Sequence, residues 1–479
     1  MRPQEILTQF RTEVYRTLPA RGDTTMDLID ALASNTVAGT VVELSLSPQF
    51  RRGHGSVMAA IKGLFRPSSR ATAARERAAL EAKLRRPVAK VLPRPVGGRP
   101  WMIAVDALPV ARPHARTLED RGYVHQAPAV AGGAPVTIGH AYSLAVVLPE
   151  RGRGEPVWTV PLSAHRIATD TTARAEAVSQ IEALITDPTL PWHGELVVTL
   201  ADSDYSQAGF LVPLAKHADL VIVSRLRKDR VCYRRPPPRQ PGQNGRPPKY
   251  GKSFTPGTVA SFATADATEL LTSVVGARSV HVKLHRWSNV LLKGEHLGRL
   301  AVSQVDVVSC AITDEQGQYL YNDDLLLVIA GDRRAEIGTA DAFHAYRRRF
   351  DQEHTHRFLR GHLMLDAFQT PIVTHEENWI TLVILACQLL AVVRPLAQDL
   401  PRPWERKAVV DPQRPTLLGP SRVQRDLPRV LALAGTPALS PKPRGKSPGW
   451  PAGTPRARRQ RIPVVRRGPP RPKEGADAA

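Results

Sequence analysis

Between residues 101 and 224, short apolar runs alternate with helical segments, and few folds accept that order. The runs 101–105 (WMIAV), 141–148 (AYSLAVVL), 157–162 (VWTVPL), 195–200 (ELVVTL) and 219–224 (DLVIVS) have the length and composition of buried strands. Residues 173–186 and 208–218 carry apolar residues at helical spacing. Strands separated by helices of this length predict an α/β domain with a mixed sheet. Two of the predicted strands run directly into an aspartate, at Asp106 and Asp202. Strand ends are rigid platforms, and rigid carboxylates suit metal chemistry.

The flanks differ from this core. Residues 1–95 read as helical, with apolar residues at helical spacing in 27–37 and 55–65 and a basic helix at 70–86. That basic helix suits either DNA or a solvated face. The first eighteen residues form an amphipathic pattern rather than a secretory signal. Residues 232–253 are rich in Pro, Gly and Arg and read as a loop. Strand-like runs follow at 280–284, 289–292, 300–308 and 325–330, predicting a β-rich insertion. The apolar run 379–393 is short for a membrane span and reads as a buried helix. Beyond 401 a weak helix is predicted at 421–434, and from 441 the frequent Pro and Arg predict disorder. The division expected is 1–95 (helical, DNA-binding), 96–230 (first part of the core), 231–338 (loop and insertion), 339–400 (last part of the core) and 401–479 (basic tail).

A chain of 479 residues exceeds one ordinary core, and 42% hydrophobic residues suffice for globular packing. The net charge of +22 calls for a polyanionic partner, with nucleic acid the first candidate. The three cysteines form no C-x-x-C pair, which excludes a zinc knuckle or disulfide framework and fits a reducing cytosol.

Chemistry concentrates in AYRRRFDQEHTHRFLRGHL, where Tyr346, Arg349, Glu353 and Arg360 are spaced by three, four and seven residues. On one continuous helix these side chains share a narrow face. A carboxylate there can hold a divalent cation, and guanidiniums and a phenol can hold phosphate oxygens. Asp106 and Asp202 supply the further carboxylates that a phosphodiester-cleaving metal site needs. Asp204 lies two residues from Asp202 and is the competing choice; the D-x-x-Y spacing to Tyr205 favours Asp202.

The order Tyr346-x2-Arg349-x3-Glu353-x6-Arg360 resembles the Y-x2-R-x3-E-x6-K signature of DDE transposases of bacterial insertion sequences, with Arg360 where that family has lysine. AVDALPVARP resembles the block holding the family's first aspartate, LADSDYS the second, and RRFDQEHTHRFLR its actinobacterial members. The resemblance implies an RNase H-like core with a β-rich insertion. It implies that Asp106, Asp202 and Glu353 hold two Mg²⁺ ions, with Mn²⁺ able to substitute, and that Tyr346, Arg349 and Arg360 grip phosphates. Trp287 of the insertion is the candidate for stacking on a flipped base, against the alternative of a buried core residue. The partners implied are double-stranded DNA with terminal inverted repeats and target DNA, bound by a homodimer on paired ends. No membrane is involved, and the location implied is the cytoplasm, at the nucleoid. Cut-and-paste transposition is the activity expected. The alternatives are a catalytically inactive DNA-binding relative and an RNase H-like nuclease without strand transfer.

Overall fold

The computed structural model describes residues 2–69, 71–125, 135–152, 154–238, 245, 248–257, 264–276, 278–292, 304–400, 418–443, 453 and 459–466. The first ninety residues fold into four helices, α1 (Pro3–Thr17), α2 (Gly22–Ala33), α3 (Gly55–Leu64) and α4 (Ala73–Ala89). In α1, Leu7, Phe10, Arg11 and Val14 recur every three or four residues and are buried together. Arg11 is tolerated in that stripe because its guanidinium grips Asp30 of α2 at 2.5 and 2.8 Å.

The sheet begins with β1 (Trp101–Ala111), β2 (Gly122–His125), β3 (Val136–Val147) and β4 (Val160–Ile167). β3 runs antiparallel to β1, β2 and β4. The chain then alternates through α5 (Ala173–Ile185), β5 (Val197–Ala201), α6 (Ala208–Ala215) and β6 (Leu220–Arg225). β5 is parallel to β1, and β6 to β5. An antiparallel meander continued by parallel strands is consistent with an RNase H-like arrangement. Thr172 caps α5 by accepting a hydrogen bond from the Ala175 N–H at 3.1 Å.

β1 is longer than its apolar run predicts. It continues to Ala111 because β3 pairs with it from Ile103↔Val147 through Ala111↔Gly139. β5 stops pairing at Ala104, so Pro109 lies on a stretch with only one strand neighbour, where a missing N–H is tolerated.

The expected insertion is not a separate layer. Its strands are β7 (Cys232–Tyr233), β8 (Ser253–Phe254), β9 (Ala267–Val275), β10 (Arg278–Leu292), β11 (Gln304–Thr313) and β12 (Leu325–Ala330). β12 pairs antiparallel with β6, so the described strands form one sheet in the order β2-β3-β1-β5-β6-β12-β11-β10-β7-β8. The two runs expected at 280–284 and 289–292 are one strand, β10, with a register shift between Trp287 and Val290 and a left-handed Asn289 (φ 56°). Part of the Pro-rich loop, at 239–244 and 246–247, lies outside the described residues.

The single helix expected to carry Tyr346 and Glu353 is two, α7 (Thr339–Arg348) and α8 (Asp351–Gly361). They meet at Arg349 and Phe350. α9 (Val373–Val393) begins six residues earlier than its apolar run. The helical stretch 373–396 is long and apolar enough to cross a membrane, with mean hydropathy 2.0, yet 72% of that window is buried in protein. α9 packs against α1, α2, α3, α4 and β4, and against α10 (Pro420–Ala434). The N-terminal helices thus share one hydrophobic core with the sheet.

The tail reading needs one correction. Within the stretch expected to be disordered, residues 459–466 lie along the loop after β1. Ile462 N–H donates to Arg116 O at 3.0 Å and Val465 N–H to Arg121 O at 2.8 Å. Backbone pairing, which composition does not reveal, orders this piece. Residues 444–452, 454–458 and 467–479 lie outside the described residues.

His165 of β4 ties three elements together. Its ring nitrogens face Glu81 of α4 at 2.9 Å and Glu176 of α5 at 3.0 Å. Burial alone would lower its pKa, but the two carboxylates overcome that and push it up to about 9. The stabilisation is therefore complete below the ordinary histidine value near 6.5 and lost as pH rises through about 9. Denaturant unfolding measured from pH 6 to pH 10 should show this loss, and His165→Gln should flatten it; an unchanged slope would remove His165 as its source.

Candidate active site

Asp106 lies in the middle of β1, opposite Leu144 of β3. The parallel register of β1 with β5 runs from Trp101↔Val197 to Ala104↔Leu200. Continued by two residues, it sets Asp106 level with Asp202, one strand spacing away. β5 ends at Ala201, and Asp202 caps the tight turn Ser203–Tyr205 by accepting from the Asp204 N–H at 2.9 Å. That turn sends Asp204 outward, where it pairs with Arg227 at 2.5 Å and is 63% exposed. Of the two competing aspartates, Asp202 is the one beside Asp106.

The two carboxylates oppose one another. Burial, and then the charge of Asp202, push the Asp106 carboxyl up to about 6. Burial likewise raises Asp202. Glu353, in the first turn of α8, adds to the negative potential felt by Asp106 and is more exposed than Asp106.

Arg349 stands among them. It follows α7 directly, and its Nη1 lies 3.4 Å from Asp106 Oδ2 and its Nη2 3.9 Å from Glu353 Oε1. Its charge also lowers the Asp202 carboxyl against the effect of burial. The guanidinium packs on the rings of Phe350, at 4.6 Å, and Tyr346, at 5.6 Å.

The other predicted residues are distributed unevenly. Tyr346 is 1% exposed, so its phenol lies beneath the carboxylates and not on a DNA-facing surface. Arg360 lies 3.3 Å from Asp366 and donates to the Pro109 carbonyl, fastening α8 to β1. Trp287 is 1% exposed, with the Phe254 ring 5.7 Å away and His285 at 6.2 Å. In this conformation it is a core residue of the sheet, far from presenting a face to a base.

Two residues received no site role from the sequence. Tyr205, also 2% exposed, lies within the fields of Asp106 and Asp202, and its hydroxyl has no partner among the described residues. His356 stands one turn beyond Glu353. Burial, reinforced by Arg360 and Arg349, pushes it down to about 4, so it is neutral at physiological pH. Its signal was available, because it lies seven residues after Arg349 and three after Glu353.

The family described as DDE superfamily endonuclease matches residues 13–284. The chain belongs to this family. No curated protein matches the chain. The matched span contains Asp106 and Asp202 and ends before Glu353, so the case for the third carboxylate is geometric. Membership brings a nuclease acting on DNA, in a superfamily that generally uses divalent metal ions.

The residues suit that requirement chemically. Carboxylates are the hard oxygen donors that such ions prefer. Two of them repel each other strongly enough to call for a cation. They are not drawn up to a common ligand distance: among the described residues no group of three or more His, Cys, Asp or Glu stands close enough to hold an ion together. Arg349 is the cation that faces both Asp106 and Glu353.

Burying the Asp106 carboxylate, with the charge of Asp202 beside it, has a measurable cost. The raised Asp106 value means that its ionised form destabilises the fold at neutral pH. Asp106→Asn should therefore stabilise the DDE-family protein near pH 7.5, by roughly 1–3 kcal/mol. The gain should shrink as pH falls below about 6, where the wild-type carboxyl takes up its own proton, and vanish near pH 4. Thermal melts of both proteins across that range provide the check.

Proposed function

We propose that this protein is a DDE transposase that cuts DNA at the ends of a mobile element and joins the freed 3′ ends to target DNA. The observation that carries the reading is the meeting of Asp106 and Asp202, on neighbouring parallel strands, with Glu353 on α8. The signature order around Glu353 and the net charge of +22 support a DNA substrate. Terminal inverted repeats, held in pairs by a homodimer, are the substrate form this reading requires.

In the proposed reaction a water oxygen attacks phosphorus in line and the P–O3′ bond breaks. The new 3′-hydroxyl then attacks a target phosphorus, loses its proton and displaces a target 3′-oxygen. Asp106, Asp202 and Glu353 would hold two Mg²⁺ ions, or Mn²⁺ in their place. When bound, such ions supply an activated attacking oxygen and relieve charge on the leaving oxygen. β1 and β5 fix two carboxylates against the sheet, while α8 can adjust the third. Arg349 holds phosphate oxygens as a bidentate donor, while Arg360, bound to Asp366 and the Pro109 carbonyl, keeps α8 on β1. Tyr346 supports Arg349 from below through its ring. The packing of β1 against β3 keeps one side of the site dry.

Asp106→Asn, Asp202→Asn and Glu353→Gln should each lower strand cleavage by roughly two or more orders of magnitude while leaving DNA affinity, measured without divalent metal, within about twofold. The assay combines Mg²⁺ with duplexes carrying the repeats that flank the coding sequence. Joined products support a transposase. Cleavage without joining would replace it with a nuclease, and binding without cleavage with an inactive relative.

A further inference from the structure

Arg349 is held loosely for a residue that is 7% exposed. Its 3.4 Å approach to Asp106 and 3.9 Å approach to Glu353 are both longer than a charge-assisted hydrogen bond of about 2.7–2.9 Å. Its Nε has no partner among the described residues. The guanidinium is always charged, so it contributes one full positive charge to the carboxylate group. It is held by a long hydrogen bond to Asp106, by the Tyr346 hydroxyl and by ring stacking, not by a bidentate fork.

Of the neighbouring cations Arg360 and Arg227 are committed elsewhere, and Arg357 reaches Glu353 but not Asp106. Arg357 approaches only Glu353, at 3.8 Å, and its side chain is 75% exposed. Arg360 is bound to Asp366 and the Pro109 carbonyl. Arg227 is bound to Asp204. Phe350, against whose ring the guanidinium packs, is 45% exposed, so the Arg349 pocket is walled on that side by a surface residue. At the junction of α7 and α8 the Arg349 N–H donates to Tyr346 O at 2.9 Å and its carbonyl accepts from the Gln352 N–H at 3.0 Å, so a displacement of Arg349 is one of its side chain alone.

Resting on the function proposed above, we infer that Arg349 is a displaceable counter-ion that couples metal uptake to DNA binding. It neutralises Asp106 and Glu353 in the free protein and thereby competes with a divalent cation for the same oxygens. A DNA phosphate, accepting both Nη groups, draws the guanidinium off the carboxylates and opens them to the metal. By reciprocity, metal must tighten DNA binding by the same factor. This differs from a simple phosphate grip, which would leave metal affinity unchanged when the arginine is removed.

The test is Mn²⁺ binding to the full-length protein, read by electron paramagnetic resonance. Arg349→Met retains the aliphatic stem against Phe350 and removes the charge; Arg349→Gln serves if the Met variant does not fold. The neutral variant should bind Mn²⁺ about tenfold or more tightly than wild type. Mixed-sequence duplex DNA should tighten Mn²⁺ binding about fivefold or more in wild type and leave the variant unchanged. A gain in affinity is not what a damaged site produces. Asp106→Asn in the variant background should abolish the binding. Asp106-dependent binding that is equal or weaker in the variant would overturn the counter-ion role alone. Absence of Asp106-dependent Mn²⁺ binding in both proteins would overturn the metal reading of the carboxylates, and this inference with it.

Discussion

A single buried carboxylate joins the two halves of the molecule. Glu376, in the first turn of α9, is 0% exposed. It accepts hydrogen bonds from Arg112 Nε at 2.7 Å and Tyr142 Oη at 2.8 Å, and pairs with His140 Nδ1 at 2.7 Å. Burial opposes its charge, but these partners outweigh burial and hold the carboxyl below its ordinary value. Arg112 directly follows β1, while His140 and Tyr142 lie on β3. The node therefore pins the end of the Asp106 strand and its neighbour to the helix around which α1–α4 pack. Removing Arg112 would strand the buried Glu376 carboxylate, a change that typically costs about 3–5 kcal/mol.

The site is arranged in the opposite sense. Asp106 and Asp202 are held level by strand register, and the Ala107 N–H, donating to Asp106 Oδ1 at 2.8 Å, offsets only part of their charge. Relief comes from Arg349, at a break between helices and at distances longer than a tight ion pair. Stable framework and unstable site are thus served by different kinds of ion pair. One is closed and fully buried; the other is open on one side and exchangeable.

Much of the core was legible because its signals are local. The runs at 195–200 and 219–224 became β5 and β6, and the helix at 173–186 became α5, since each shows its period within a few residues. What escaped depends on distant partners. Pro109 hid the second half of β1, whose continuation is decided by the ladder with β3. β9 carries little apolar pattern and exists because β10 pairs with it. The break at Arg349 was invisible to spacing, since an ideal helix would also place Glu353 and Arg349 together. The burial of Tyr346 and Trp287 follows from what packs over them, which residue type alone does not state.

The continuity of the sheet decides where this protein can be divided. The family match ends at residue 284, partway along β10, while the strands that connect β10 to β6 are β11 and β12, later in the chain. A fragment limited to the matched residues would leave the ladder of β6 open along one side and a shortened β9–β10 ribbon with no neighbour. Bare, apolar ladder edges recruit other chains. Such a fragment should be insoluble even though it holds both aspartates, because the smallest independently folding unit includes β12, α7, α8 and α9.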